Sequence, residues 1–375
     1  MAGSEQDKAR MLERAARQMR HLIDREEEQR RKQESKARRA ARPHGRRRPG
    51  RQLDEDADEV AFEKMSRRAQ RSAPAASTAV RVDGLPRAIV AAVHHGRVDL
   101  DNGESARLAH RLFLDPEFHL AVGDEVAFTA TEGPARIEAV LPRRSSLRRP
   151  DPGNVHRDLV LAANVDVAVI TAAVADPPLR PGLIDRFLLA LDGSGVLPAI
   201  CVNKADLAVD AAAVERVVAP YVAMQVPVFV CSAATRAGLE PLRAHLAGKV
   251  CVFVGHSGVG KSSLLNGLDP DGARAVGDVR GDGKGRHTTS WSSLRRLADG
   301  TRIIDTPGIR SLGLERLRVE DVRAGFNEFA AAGRCRFADC RHREEPECAV
   351  RAAVAAGRIS ELRYGSYLRI LESLE

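Results

Sequence analysis

Aromatic side chains are scarce. They make up 4% of the 375 residues, with one tryptophan and three tyrosines, which argues against a surface built mainly on stacking bases. No run approaches the ~18 consecutive apolar residues of a membrane-spanning helix. The N-terminus is charged and carries no apolar stretch, so no signal peptide is expected. Cysteines number only six. In so long a chain, and without a secretion signal, that count points to a reducing, cytoplasmic setting and to thiol or metal roles rather than a disulfide framework. No internal repeat is visible.

What the chain has in excess is positive charge, and it is unevenly placed. Residues 1–80 hold 21 Lys/Arg against 14 Asp/Glu, a balance of +7; the other 295 hold 38 against 37, a balance of +1. Between Arg30 and Arg51 there are 11 basic residues and one acid, Glu34. Such a block is a solvated arm suited to nucleic acid. Weak helical periodicity from Met11 to Ile23 gives way to Pro43, Gly45, Pro49 and Gly50, so residues 1–80 are expected to be a disordered or partly helical arm.

From residue 81 to about 150 the pattern is one of short alternating runs. Ala88–Val93, Gly96–Leu100 and Asp124–Thr129 are expected to be strands, separated by turns at Asp101-Asn102-Gly103 and Val122-Gly123-Asp124. Closely spaced runs of this kind predict a small β-barrel. Leu141–Gly153, rich in Arg, Ser and Pro, is expected to be a linker. Over 151–316 strands alternate with helices. Apolar runs at Val165–Ala173, Val196–Val202, Val226–Cys231, Val250–Val254 and Thr301–Ile304 predict a mostly parallel sheet with helices on both faces. After Leu317 the chain is expected to be helical again, with a cysteine cluster inside it.

Gly255-His256-Ser257-Gly258-Val259-Gly260-Lys261-Ser262 fits the phosphate-loop pattern, and it lies between a strand and the helical run that starts at Ser263. Its glycines let backbone N–H groups converge on phosphate oxygens at a helix N-terminus. Lys261 adds a point charge, and the Ser262 hydroxyl is suited to Mg²⁺. Asp305-Thr306-Pro307-Gly308 closes a later strand. There Asp305 suits a supporting role toward the Mg²⁺, and the Gly308 N–H can sense a γ-phosphate. Asn203-Lys204-Ala205-Asp206 ends another strand. The Asp206 carboxylate can accept both N1–H and N2–H of guanine, whereas adenine would leave it unpaired. Asn203 can bond the base edge and brace the phosphate loop, and the Lys204 stem can lie over the base. Ser232-Ala233, after the next strand, is a weaker fourth element facing guanine O6.

The order of these motifs differs from that of ordinary GTPases, in which the phosphate loop comes first. Here the base-reading motifs precede it and Asp305–Gly308 comes last, so the segment that senses the γ-phosphate runs directly into the C-terminal region. Between them, Gly281-Asp282-Gly283-Lys284-Gly285-Arg286-His287-Thr288-Thr289 predicts a mobile loop. One of Thr288 and Thr289 is expected to complete the Mg²⁺ shell. Ile309 stands where Ras-like enzymes carry the water-orienting Gln and cannot do that work. His287 is the candidate replacement, with a partner-supplied group as the alternative.

Cys335, Cys340, His342 and Cys348 place three thiols and an imidazole within 14 residues. That donor set suits a closed, tetrahedral structural Zn²⁺ site with no open position for catalysis. Arg334, Arg336, Arg341 and Arg343 surround it and could also meet phosphates. Cys201, Cys231 and Cys251 sit in apolar strand runs and are expected in the core.

On these residues the chain resembles the circularly permuted, ribosome small-subunit-dependent GTPases of the RsgA (YjeQ) family, over residues 82–374. The motif order, the phosphate loop, Gly285–Thr289, Asp305–Gly308 and the Cys/Cys/His/Cys spacing carry the resemblance. It implies an OB barrel, a permuted GTPase domain and a zinc-binding helical domain (317–375). It also implies a monomer with no membrane partner that binds GTP and GDP and contacts the small subunit and its 16S rRNA. The expected activity is slow GTP hydrolysis, stimulated by the subunit, late in 30S assembly. The long basic arm and His256 depart from the family's pattern. Two other readings compete. An RNA-binding scaffold with a vestigial site is disfavoured by intact Lys261, Ser262, Asp305 and Asp206. A permuted GTPase of large-subunit assembly is disfavoured by the barrel and the cysteine cluster.

Overall fold

The computed structural model describes residues 82–94, 96–114, 118–130, 134–151, 154–269, 292–306 and 317–374. The basic arm, His287, Thr288, Thr289, Gly308 and Ile309 lie outside them.

The alternating runs after residue 81 close into a barrel. Its strands are β1 (Arg87–His94), β2 (Arg97–Leu100), β3 (Ser105–Leu108), β4 (Glu125–Thr129) and β5 (Ala135–Val140). They pair in the order β1-β2-β3-β5-β4, and β4 returns to β1, so no edge is left free. A 3-10 turn, His110–Leu114, bridges β3 and β4. Alternate residues Val90, Val98, Leu100, Val126, Phe128 and Ile137 fill the interior. Phe128 is thus a core residue, unavailable to RNA. Two strands, β3 and β5, had no clear signature in the sequence: β3 is only four residues long and carries Arg107, and Arg136 and Glu138 interrupt β5.

The expected linker is a correction. Ser146–Asp151 forms β6, which pairs antiparallel with β7 (Asn154–Ala163). The basic residues that disguised it are structural in part. Arg143 makes two bonds to the fully buried Asp124, Nε–Oδ1 at 2.7 Å and Nη2–Oδ2 at 2.8 Å.

The second body follows the predicted alternation. Strands β8 (Val167–Ala173), β9 (Leu197–Asn203), β10 (Val228–Val230), β11 (Val250–Val254) and β13 (Arg302–Asp305) run parallel, and β12 (Ser293–Arg296) runs antiparallel to β13. Their order is β10-β9-β8-β11-β13-β12. Both faces are covered, which is why these strands read as continuous apolar runs. Ala168, Ile170, Val252 and Val254 pack with helices α1 (Pro181–Leu191) and α2 (Ala211–Ala223). Val167, Val169, Cys251 and Phe253 pack with α3 (Leu239–Leu246) and α4 (Lys261–Leu268). Cys201, Cys231 and Cys251 are fully buried on that second face, as expected.

Barrel and sheet are continuous, because Ala92 of β1 pairs with Ser293 of β12. The junction is tightened at Gly123. Its carbonyl accepts the Asn164 Nδ2–H at 2.9 Å, and Ala163 N–H donates to the neighbouring Val122 carbonyl. Gly123 has φ +93°, and a Cβ there would lie 2.1 Å from the Ala163 carbonyl oxygen. Gly123→Ala therefore combines left-handed strain with a backbone clash. It is expected to cost about 2–4 kcal/mol. Urea unfolding checks this, and an unchanged midpoint would refute the close approach.

The C-terminal part is helical: α5 (Val319–Gly325), a 3-10 turn (Asn327–Ala332), α6 (Ala349–Ala355) and α7 (Glu361–Glu372). Its core includes Val322, Phe326, Phe329, Tyr367 and Ile370, with Leu189 contributed by α1. No helix among the described residues is long and apolar enough to cross a membrane.

Candidate functional site

Parallel strands deliver their C-terminal ends to one edge of the sheet, and ligands of open α/β sheets bind there. Asn203 ends β9, Ser232-Ala233 follows β10, the phosphate loop follows β11 and Asp305 ends β13. Four motifs spread over about a hundred residues thus share one edge.

The phosphate loop is held by its neighbours. Gly255 passes so close to β8 that a Cβ would sit 2.2 Å from the Thr171 carbonyl oxygen. At Gly260 (φ +90°) a Cβ would meet Asn203 Nδ2 at 2.3 Å. Both positions are closed to any side chain. Lys261 Nζ donates to the carbonyls of Gly255 (2.8 Å) and His256 (2.7 Å), so the ammonium lies within the loop. Ser262 and Ser263 are exposed in the first turn of α4, and Asp305 is half-buried opposite Ser293.

Asn203 is buried and spans two motifs. Its Nδ2 donates to the Val259 carbonyl at 2.9 Å, and its Oδ1 accepts the Ala233 N–H at 3.0 Å. The bracing role is realised. Each end of the amide has one further hydrogen-bonding position beyond these two contacts. The Oδ1 of Asp206 accepts the Ser232 hydroxyl. That bond holds the exposed carboxylate in place. Lys204 adopts a left-handed backbone (φ +61°), and its ammonium donates to the Asp176 carbonyl. Asp176 was not recognised in the sequence, since a carbonyl contact has no residue signature.

Asp206→Asn exchanges an acceptor for a donor where the guanine N–H groups are expected. It is expected to weaken GTP by roughly 1–3 kcal/mol and to strengthen xanthosine triphosphate. A nucleotide titration with unchanged GTP affinity would remove Asp206 from this role.

The thiol cluster is a second centre. The ligand atoms of Cys335, Cys340, His342 and Cys348 all lie within 4.8 Å of one another. His342 Nδ1 is 3.5 Å from Cys335 Sγ and 3.4 Å from Cys348 Sγ, and the two sulfurs are 3.9 Å apart. A tetrahedral zinc with Zn–S near 2.3 Å and Zn–N near 2.0 Å has edges of about 3.8 and 3.5 Å. The donor set fits that ion in both chemistry and spacing. Burial, with the Arg323 charge, holds the His342 imidazole below its usual pKa, which favours the neutral, ligating form. Burial pushes the Cys340 thiol up to about 12, while backbone N–H groups of Ala349 and Val350 outweigh burial at Cys335 and lower it. The Tyr364 and Tyr367 hydroxyls donate to the carbonyls of His342 and Arg341, at 2.6 and 2.9 Å, and tie the ligand turn to α7. Of the surrounding arginines, Arg336 pairs with Glu347.

The sequence also did not reveal the cluster that joins α7 to α1. Arg363, almost fully buried, donates Nη1 to Asp185 and Nε to Glu328 at 2.7 Å, and its guanidinium lies 4.2 Å from the Phe326 ring centroid. Burial raises the Asp185 carboxyl above its usual range against the pull of Arg363. Its available signal was a lone acid inside the apolar stripe Ile184–Phe187–Leu191.

A closed five-stranded OB-type barrel, a parallel sheet whose guanine motifs precede its phosphate loop, and a trailing Cys₃His cluster define a circularly permuted GTPase. The family model described as RsgA GTPase matches residues 140–315. A small ribosomal subunit biogenesis GTPase RsgA from Azotobacter vinelandii is 43% identical over 283 residues, 74% of this chain and 82% of that one. The protein of the same name from Pseudomonas fluorescens is 41% identical over 283 residues, again 74% and 82%. Among solved structures, YjeQ from Thermotoga maritima superposes with a TM-score of 0.63 at 32% identity, covering 77% of this chain and 98% of that one. YloQ, a circularly permuted GTPase, gives 0.60 at 25% identity, with 78% and 96% covered. The chain belongs to the RsgA GTPase family, and it is a GTP-hydrolysing enzyme.

Proposed function

We propose that this GTPase acts in the cytoplasm on the small ribosomal subunit as a late assembly checkpoint. It binds 16S rRNA there, and the subunit stimulates hydrolysis. The names of its relatives support the subunit as partner. One structural observation supports a checkpoint. β13 ends at Asp305, and by Leu317 the chain is already packed on the core of the C-terminal helices. The Asp305–Gly308 motif therefore stands only a few residues from the part that carries the thiol cluster and its arginines. A change at the γ-phosphate has a short covalent route to a second surface.

In this reading Gly255–Ser263 hold the phosphates, and Asp206, with Ser232 and Ala233, selects guanine. Ser262, Asp305 and one of Thr288 and Thr289 hold Mg²⁺, which neutralises charge on the β- and γ-phosphates when bound. Cys335, Cys340, His342 and Cys348 hold one structural Zn²⁺. The barrel contacts RNA by charge and shape rather than stacking, since Phe128 is internal. GTP turnover measured with isolated 30S subunits, with 50S subunits and with neither tests the proposal. Selective stimulation by 30S is expected, and equal rates in all three would reject it.

A further inference from the structure

A cavity of about 650 Å³ lies behind the phosphate loop, between the start of α1 and the last turns of α7. That is the size of an ordinary ligand pocket, about 300–1,000 Å³. It adjoins the nucleotide edge through Ala172 and Ala173 of β8 and through His256 and Val259, but Lys261, Ser262, Asp206 and Asp305 do not line it. Its floor is apolar, with Pro177, Leu183, Val259 and Ile370. Around that floor stand Arg180, Arg186 and Arg369. Arg186 reaches the Ser373 hydroxyl and Arg369 the Ser366 hydroxyl, both neutral partners. No carboxylate lines the cavity among the described residues, and none of the three arginines forms an ion pair there. Several arginines elsewhere in the fold are matched to acids, as at Arg143–Asp124, Arg302–Asp101 and Arg363–Asp185.

We propose that this cavity is a docking site for an acidic segment of a partner protein that inserts an apolar side chain. Three guanidinium groups around an apolar floor match carboxylates flanking an aliphatic or aromatic anchor. A nucleic-acid strand fits less well. Its phosphates would find the arginines, but His256 is the one aromatic ring among the described lining residues for a base to stack on, and the apolar floor would go unused. The site joins two parts of the protein. Its occupant touches His256 and Val259 of the phosphate loop on one side and Arg369 of α7 on the other. The Val259 carbonyl is the one that Asn203 holds. The inference rests on this geometry and not on the choice of ribosomal subunit.

The test uses the full chain loaded with GDP and a fluorescent synthetic peptide of glutamates flanking one phenylalanine. Anisotropy is expected to show saturable binding. Exchanging the phenylalanine for serine in the peptide, or making Arg180→Glu with Arg369→Glu in the protein, is expected to weaken it about tenfold or more. Both arginines are exposed, so the variant should fold, and its GDP affinity, measured separately, should be unchanged. Hydrogen exchange should slow at 179–183 on peptide binding. Equal peptide affinity for the double variant, equal affinity for the serine peptide, or displacement by a short single-stranded RNA would each overturn the proposal. The first of these outcomes would place the peptide on the basic arm. Loss of 30S stimulation is a separate measurement and bears only on the proposed function.

Discussion

Cys340→Ser is expected to release the metal and to loosen the C-terminal helices while GTP affinity is retained. In isolated zinc fingers a closed structural zinc supplies about 10–16 kcal/mol of folding energy. Here the ligand turn has other support. Glu345 accepts the N–H groups of Arg341 and Arg343 at 2.8 and 2.7 Å, and the two tyrosines hold its carbonyls. The loss should therefore be local at first. Cys340 and Cys348 belong to the same core as Tyr367 and Ile370 of α7 and Leu189 of α1, so increased hydrogen exchange should spread from 334–348 into α7. It should stop at α1, which is packed independently against β8 and β9 through Ile184, Phe187 and Leu191. The phosphate loop is braced by Thr171 and Asn203 on the far side of that core, so the nucleotide should stay bound. Metal analysis finding no zinc in the unmutated protein would refute the assignment. Lost GTP affinity in the variant would refute the independence of the two centres.

The strands of the GTPase sheet were legible because they are buried on both faces, which demands uninterrupted apolar residues. Val250–Val254 shows this, with successive side chains entering opposite cores. β6 was not legible. It is a two-stranded ribbon element, and Ser146-Leu147-Arg148-Arg149-Pro150-Asp151 buries only Leu147 deeply. A strand with so little to bury carries a composition like that of a linker. The four-residue β3 of the barrel poses the same problem, since alternation needs length to be recognised.

The site divides in a similar way. Phosphate, guanine and metal chemistry requires particular residue types at fixed spacing, so the motifs could be read before their positions were known. What supports them could not. The bonds of Asn203 to Val259 and Ala233, 56 and 30 positions away, leave no mark in the local sequence. Arg363 and Asp185 are 178 positions apart, and nothing local pairs them. Removing one partner of such a buried pair typically costs about 3–5 kcal/mol, although neither residue belongs to a motif.

His287→Ala is expected to lower the 30S-stimulated rate by about 10²-fold, the scale of a lost positioning contact, and to leave the basal rate nearly unchanged. His287 and Ile309 lie outside the described residues. Ile309 gives the usual water-orienting position a side chain without a donor or acceptor, so the isolated protein should turn over slowly. His287 follows Gly281, Gly283 and Gly285, and a sequence so rich in glycine does not hold an imidazole in one place by itself. Docking on the subunit would supply that order, and the histidine would then meet the attacking water. The basal reaction proceeds without this contact, which is why it should be insensitive. Trp291, the only tryptophan, lies four residues further on and gives a fluorescence signal for ordering of the segment. The measurement is single-turnover hydrolysis with and without 30S, alongside GTP and subunit affinities that should match the unmutated protein. Full stimulation in His287→Ala, with the Trp291 signal still responding, would mean that the ribosome positions the water itself. A fall in basal and stimulated rates by the same factor would instead mean that His287 acts before docking, and the proposed ordering step would be wrong.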